Sequence, residues 1–174
     1  ANIQAVARIQ KFQLSFKIHA DELNNNQGAA LAGKWKCLSA DHLLQSDLAG
    51  ARALAQSGVI ATILPGTAFF LGKPMPPAKM LADAGCALAI ASDFNPGSCF
   101  YNDVFQIARM SAPSLKINSA TLWAAITFNA ARALNISHLG AIIPGFKSNL
   151  LQWNADSYED LLYDWTERPH CKHL

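Results

Sequence analysis

With 174 residues, 51% of them apolar and 15% charged, the chain is too hydrophobic for a disordered segment and long enough for one domain or slightly more. An average soluble protein carries roughly 25% charged residues, so an unusual share of this chain expects burial, against itself or against something else. Fourteen Lys and Arg against twelve Asp and Glu leave a net charge of +2, too little to attract nucleic acid or an acidic membrane surface, and no apolar run reaches the roughly 18 residues of a membrane span.

The first predicted element is a strand at Leu14–Ala20 (LSFKIHA), entered directly from what reads as the end of a helix in AVARIQKFQ. The chain opens on Ala1, and so abrupt a start is expected of a piece of a longer protein. A helix follows over Gln27–Gly33. The second strand is Lys36–His42 (KCLSADH), and the next helix is Ser46–Ser57, started by Ser46 and Asp47 and stopped by Gly58. The third strand, Gly58–Pro65 (GVIATILP), is β-branched, and Pro76 and Pro77 suit the first turn of a helix over Pro76–Ala84. Cys86–Asp93 (CALAIASD) is the fourth strand. Continuous apolar strands alternating with helices predict a parallel sheet, covered on both faces and joined by right-handed crossovers. Two longer helices are expected at Asn102–Ser111 and Asn118–Leu134, with Asn118 capping the second and Asn135 ending it. Beyond Ser137, Gly-punctuated short runs predict a hairpin-like appendage, with a helical period only over Tyr158–Trp165. The expected division is therefore residues 1–138 and residues 139–174.

In parallel α/β sheets, chemistry sits at the carboxyl ends of the strands. The first predicted strand ends in His19, followed by Asp21 and Glu22; the second ends in Asp41 and His42; the fourth ends in Asp93, followed by Asn95. The third, ending in Pro65–Gly66–Thr67, offers no ligand. His19, His42 and Asp93 would share one rim, and two imidazoles with a carboxylate suit zinc or ferrous iron. Hydrolysis by an activated water is the natural use of such a site. Each residue also has a plainer reading. A lone strand-end histidine is usually a structural hydrogen bonder, Asp93 could cap the D-x-N-P-G-S turn, and Glu22 could be a solvated loop acid. His138 reads as a capping residue, and His170, Cys171 and His173 as a disordered, solvated tail. Trp35, Trp123, Trp153 and Trp165 read as core or interface fillers. The four cysteines, Cys37, Cys86, Cys99 and Cys171, form no CxxC pair, and no signal peptide is seen, so reduced thiols in a cytoplasmic protein are expected. Cys99 follows the Asp93 loop with nothing nearby to activate it.

Several stretches together resemble the imidazolonepropionase family of the amidohydrolase superfamily. They are KIHADELNNNQGA (Lys17–Ala29), LSADHL (Leu38–Leu43), ATILPGTAFFLG (Ala61–Gly72), ASDFNPGS (Ala91–Ser98) and ITFNAARAL (Ile126–Leu134). GAIIPGFKSNLLQW (Gly140–Trp153) resembles the superfamily's G-x-I-x-x-G-x-x-A-D-L segment, with Ser148–Asn149 where Ala–Asp is usual. The resemblance implies an α/β fold: the second half of a metal-dependent (β/α)8 barrel, four strand–helix units, plus part of a small β-rich appended domain. It implies hydrolysis of the ring C–N bond of 4-imidazolone-5-propanoate to N-formimidoyl-glutamate, with one divalent ion, zinc or iron. By the same resemblance His19 and Asp93 are metal ligands, Glu22 and His42 act on the substrate and the attacking water, and Glu22, Asn95, Gly97 and Ser98 hold the substrate.

The family's first-strand H-x-H pair and its amino-terminal Arg and Tyr have no counterpart here. A complete barrel takes about 250 residues, so the expected partners are a small-molecule substrate and the missing amino-terminal half, with a homodimer as a further expectation. Two other readings stay open: another cyclic amidohydrolase or deaminase on the same fold, and a half-barrel that assembles with itself and has no activity.

Overall fold

The computed structural model describes residues 8–9, 11–164 and 169–174. Part of the expected opening helix, and Trp165 with the end of the helix expected over Tyr158–Trp165, lie outside them. The four expected strands are present and shorter than their apolar runs: β1 (Lys17–Ala20), β2 (Ser39–His42), β3 (Ile60–Ile63) and β4 (Leu88–Ile90). They form one parallel sheet in the order β1-β2-β3-β4. The register sets His19 beside Asp41, Asp41 beside Thr62 and Thr62 beside Ala89.

The crossovers carry α1 (Gly28–Lys34), α2 (Leu48–Ser57), then α3 (Pro65–Phe70) and α4 (Ala78–Asp83). Asp47 caps α2 by accepting from the Gly50 amide at 2.8 Å, and Gly58 closes it in the left-handed conformation. Gly33 lets α1 lie against α2, since a Cβ there would stand 2.7 Å from the Ala53 carbonyl oxygen. Helix α3 was not expected; it starts on Pro65 directly after the third strand, a residue well suited to a first helical turn.

Side chains alternate across a strand. Ala40, Ala61, Ile63, Leu88 and Ile90 join Leu54, Leu81, Ile107, Leu115 and Leu122 in the main core. The opposite face carries Ile60 and Ala89, met by Ala133, and, by alternation, the polar row Lys17, His19, Ser39, Asp41 and Thr62. Helices therefore stand against both faces: the crossover helices on one, and the later helix that carries Ala133 on the other. Apolar runs of fully buried strands hide which face is which, and here most of the helices stand on one side, while the other keeps the polar groups.

After β4 come α5 (Val104–Leu115), α6 (Ser119–Ile126) and α7 (Phe128–Ala133). The single helix expected over Asn118–Leu134 is broken at Thr127 (φ −126°, ψ −92°). Asn118 does cap the first part, accepting from the Thr121 amide at 2.7 Å. Gly140 (φ +88°) packs on the break so closely that a Cβ would lie 2.6 Å from the Phe128 Cα. The last segment holds β5 (Leu151–Trp153), the short α8 (Asp160–Tyr163) and β6 (Cys171–His173). β5 and β6 pair antiparallel, with Trp153 opposite Cys171. The tail around His170, Cys171 and His173 is therefore an exposed strand and not a disordered end. Trp153 stacks on Phe105 at 4.6 Å, and Trp123 lies 5.7 Å from the same ring, so both are interface fillers as expected. All four cysteines are free. No helix among the described residues is long and apolar enough to cross a membrane.

Candidate active site

The carboxyl end of the sheet is where the backbone turns most sharply. Asp21 (φ 50°), His42 (φ 79°), Leu43 (φ 60°) and Asp93 (φ 51°) all lie in the left-handed region just at or past their strands. Such non-glycine residues cost roughly 1–3 kcal/mol each and collect at functional sites.

His19, Glu22 and His42 meet there, their ligand-type atoms all within 4.8 Å of one another. His42 Nε2 lies 3.2 Å from His19 Nδ1 and 3.7 Å from Glu22 Oε2. Glu22 Oε2 is 4.0 Å from His19 Nδ1. The two rings are unequal: the His19 side chain is 70% exposed and that of His42 only 3%. Burial lowers the His42 pKa below its ordinary value; His19 pushes the same way, while Glu22, Asp93 and Asp41 pull against it. His42 is thus held as a neutral imidazole. Its Nδ1 is buried without a hydrogen-bond partner among the described residues. Two imidazoles and a carboxylate in this spacing fit a divalent ion of the zinc or ferrous type.

Asp93 shares the rim and acts electrostatically on His42, yet its carboxylate is engaged elsewhere: Thr67 Oγ1 donates to Asp93 Oδ2 at 2.6 Å. Thr67 is not singled out by the sequence, in which the third strand end offers no ligand. The available signal was Pro65, which suits a first helical turn and opens the short helix that carries Thr67. Asn95, Gly97 and Ser98 form a tight loop. The Asn95 amide donates to the Asp93 carbonyl at 2.7 Å and to Ser98 Oγ at 2.8 Å, and its oxygen accepts from the Gly97 and Ser98 amides at 2.9 and 2.8 Å.

Two acidic residues counted at strand ends have other tasks. Asp21 is buried and anchors the start of α1: it accepts from the amides of Asn26, Gly28 and Ala29 and from Ser46 Oγ. Asp41 accepts from Ser39 Oγ at 2.6 Å and pairs with Lys17 at 3.7 Å on the polar face of the sheet. Cys99 is buried, its Sγ 3.7 Å from the Tyr101 carbonyl oxygen.

No protein-family model matches the chain. Among curated proteins, the imidazolonepropionase of Parabacteroides distasonis is 42% identical over 158 residues, 90% of this chain and 38% of its own. That of Cereibacter sphaeroides is 37% identical over 169 residues, 97% of this chain and 42% of its own. The chain is related to the imidazolonepropionases. It spans about two-fifths of the length of these relatives. Among solved structures, a zinc-bound adenosine deaminase from Xanthomonas campestris superposes with a TM-score of 0.75 at 22% identity, over 92% of this chain and 44% of that one. A variant of an atrazine chlorohydrolase from Arthrobacter aurescens, complexed with zinc and atraton, gives a TM-score of 0.77 at 14% identity, over 94% of this chain and 43% of that one. At these identities the likeness is one of fold: the four parallel strands and their helices superpose on less than half of each of these two solved chains.

Proposed function

We propose that this chain is the carboxyl-terminal portion of a metal-dependent imidazolonepropionase, which hydrolyses the ring C–N bond of 4-imidazolone-5-propanoate to N-formimidoyl-L-glutamate. The observation that carries this reading is the meeting of His19, Glu22 and His42 at the sheet's carboxyl end, within the stretch related to imidazolonepropionases. In this reading His19 and Asp93 hold one divalent ion, zinc or iron, together with ligands from the amino-terminal half of the barrel. When bound, such an ion supplies a Lewis acid that makes water a nucleophile near neutral pH.

The chain's own residues do the rest. Water adds its oxygen to the ring carbonyl carbon, the C–N bond breaks, and a proton must travel from the water to the departing nitrogen. Glu22, three residues past His19 and partly exposed, takes that proton and returns it to the nitrogen. His42, kept neutral by burial, orients the water or polarises the carbonyl through a ring N–H. Asn95, Gly97 and Ser98 shape the wall against which the substrate rests.

The test joins this chain to the amino-terminal portion of the Parabacteroides distasonis relative, loads the assembly with zinc or ferrous iron and follows the loss of imidazolonepropionate absorbance. Turnover is expected. A folded, metal-loaded barrel that leaves imidazolonepropionate intact while hydrolysing another cyclic amide or deaminating a base would overturn the substrate assignment.

A further inference from the structure

We infer that Thr67 is a positioning residue, which fixes the Asp93 carboxylate for its work at the site. The inference rests on the functional reading above and adds a residue to it.

Asp93 needs an anchor. Its backbone stands in the left-handed region at φ 51°, and it lies near the start of a segment, Ala91–Asp103, that contains no helix or strand and only the isolated bridge between Asn95 and Cys99. The Asn95 amide secures the Asp93 carbonyl at 2.7 Å, which fixes the main chain but leaves the side chain to rotate. Thr67 supplies the second hold. Its hydroxyl, on a residue 1% exposed, donates to Oδ2 at 2.6 Å from the preceding strand–helix unit. A short hydrogen bond to an ionised carboxylate is about twice as strong as a neutral one. With Oδ2 engaged by Thr67, Oδ1 is left for the ion or for His42.

The surroundings keep the Thr67 hydroxyl in place. Gly66 lets α3 press on the loop: a Cβ there would stand 3.1 Å from Cys99 Sγ and 3.2 Å from Ile107 Cδ1. A side chain at Gly66 would meet these two side chains more tightly than ordinary packing allows. The tie therefore runs from β3 through α3 to the end of β4 and couples adjacent rims of the sheet.

The experiment uses the assembled, metal-loaded barrel and reads bound metal after dialysis against a weak chelator, alongside kcat and KM. Thr67→Val keeps the shape and removes the hydroxyl; Thr67→Ser keeps the hydroxyl and removes a methyl; Asp93→Asn tests the underlying ligand assignment. Thr67→Val is expected to lose metal affinity and kcat by about 10- to 100-fold, the usual cost of removing the partner of a ligand, with KM little changed. Thr67→Ser is expected to recover most of both. Equal losses in Thr67→Val and Thr67→Ser would overturn the inference, because packing and not the hydrogen bond would then be responsible. Parent-like metal retention in Thr67→Val would overturn it too. If Thr67→Val fails to fold, Thr67→Ser and Thr67→Ala decide between hydroxyl and packing in the same way. If Asp93→Asn keeps metal and turnover, the ligand assignment itself is wrong, and that result is distinct from any outcome at Thr67.

Discussion

Three side chains at the rim differ more in setting than in chemistry, and the setting assigns their work. His42 is buried and neutral, His19 faces outward, and Glu22 lies between them at 4.0 Å or less from each. A partly exposed carboxylate beside a neutral imidazole is free to exchange a proton with water, which an ion-bound carboxylate is not. Glu22→Gln is therefore expected to lower kcat by a factor of 10² to 10⁴, the usual contribution of a general base, while bound metal stays at one ion per site. Metal analysis of the purified assembly together with steady-state rates checks this. The cluster of His19, Glu22 and His42 also has the spacing of a ligand set; if Glu22→Gln empties the site of metal, Glu22 belongs to the ligands and the proton transfer falls to another residue.

At the scale of elements, what was legible in the sequence depended on how local each signal was. Asp47 with Gly58 and Asn118 with Thr121 are contacts within a few residues, and α2 and the start of α6 came out as read. His19 and His42 could be placed on one rim because each ends an apolar run. The break at Thr127 could not be read, because it depends on Gly140, more than ten residues away in sequence. The Thr67–Asp93 bond spans 26 residues and two strand units, and the antiparallel pairing that orders Cys171–His173 depends on Leu151–Trp153. The same packing of elements sets a pH dependence. Cys37 precedes β2, and Cys86 precedes β4 and donates to the Ala51 carbonyl of α2 at 3.1 Å. Burial pushes both thiols from the ordinary 9.0 up to about 11. The unfolded chain therefore loses these protons near pH 9 while the folded chain holds them, so the two thiols leave stability intact below pH 9 and lower it as pH rises toward 11. At roughly 1.4 kcal/mol per pKa unit, the loss is up to a few kcal/mol. Urea unfolding midpoints at pH 8, 9.5 and 10.5 should fall in that order, and fall less in a Cys37→Ala/Cys86→Ala variant. Equal slopes in parent and variant would remove the thiols from the explanation.

For the whole molecule, the decisive fact is that four parallel strands make an open wall. β1 and β4 are the edges of the sheet among the described residues; β1 carries the exposed Lys17 and His19, while β4, like β2 and β3, is buried. Unpaired strand edges, even short ones, offer free N–H and C=O groups to another chain. Around them stand bare apolar side chains: Leu14 is 61% exposed and Phe100 71%, and Phe94 stacks on Phe100 with ring centroids 5.3 Å apart. The polar row of Lys17, His19, Asp41 and Thr62 has helices behind it, and the Thr62 hydroxyl is buried with no partner among the described residues. Such a surface is unfavourable for a lone chain in water. It is suited to the remaining strands of a barrel, which would cover the apolar rim and leave the polar face lining the interior. We therefore expect the 174-residue chain alone to be catalytically inert and to dimerise or aggregate, since two half-barrels can join edges as two-fold partners. The proposed ligands His19 and Asp93 would then have too few companions to hold an ion firmly. Size-exclusion chromatography with light scattering reads the assembly, and imidazolonepropionate absorbance reads the chemistry, each with and without the amino-terminal portion of a relative. The added portion should yield a discrete complex and restore turnover. A monodisperse monomer near 18.8 kDa that turns over imidazolonepropionate unaided would show that the open wall suffices and that no further strands are needed to complete the site.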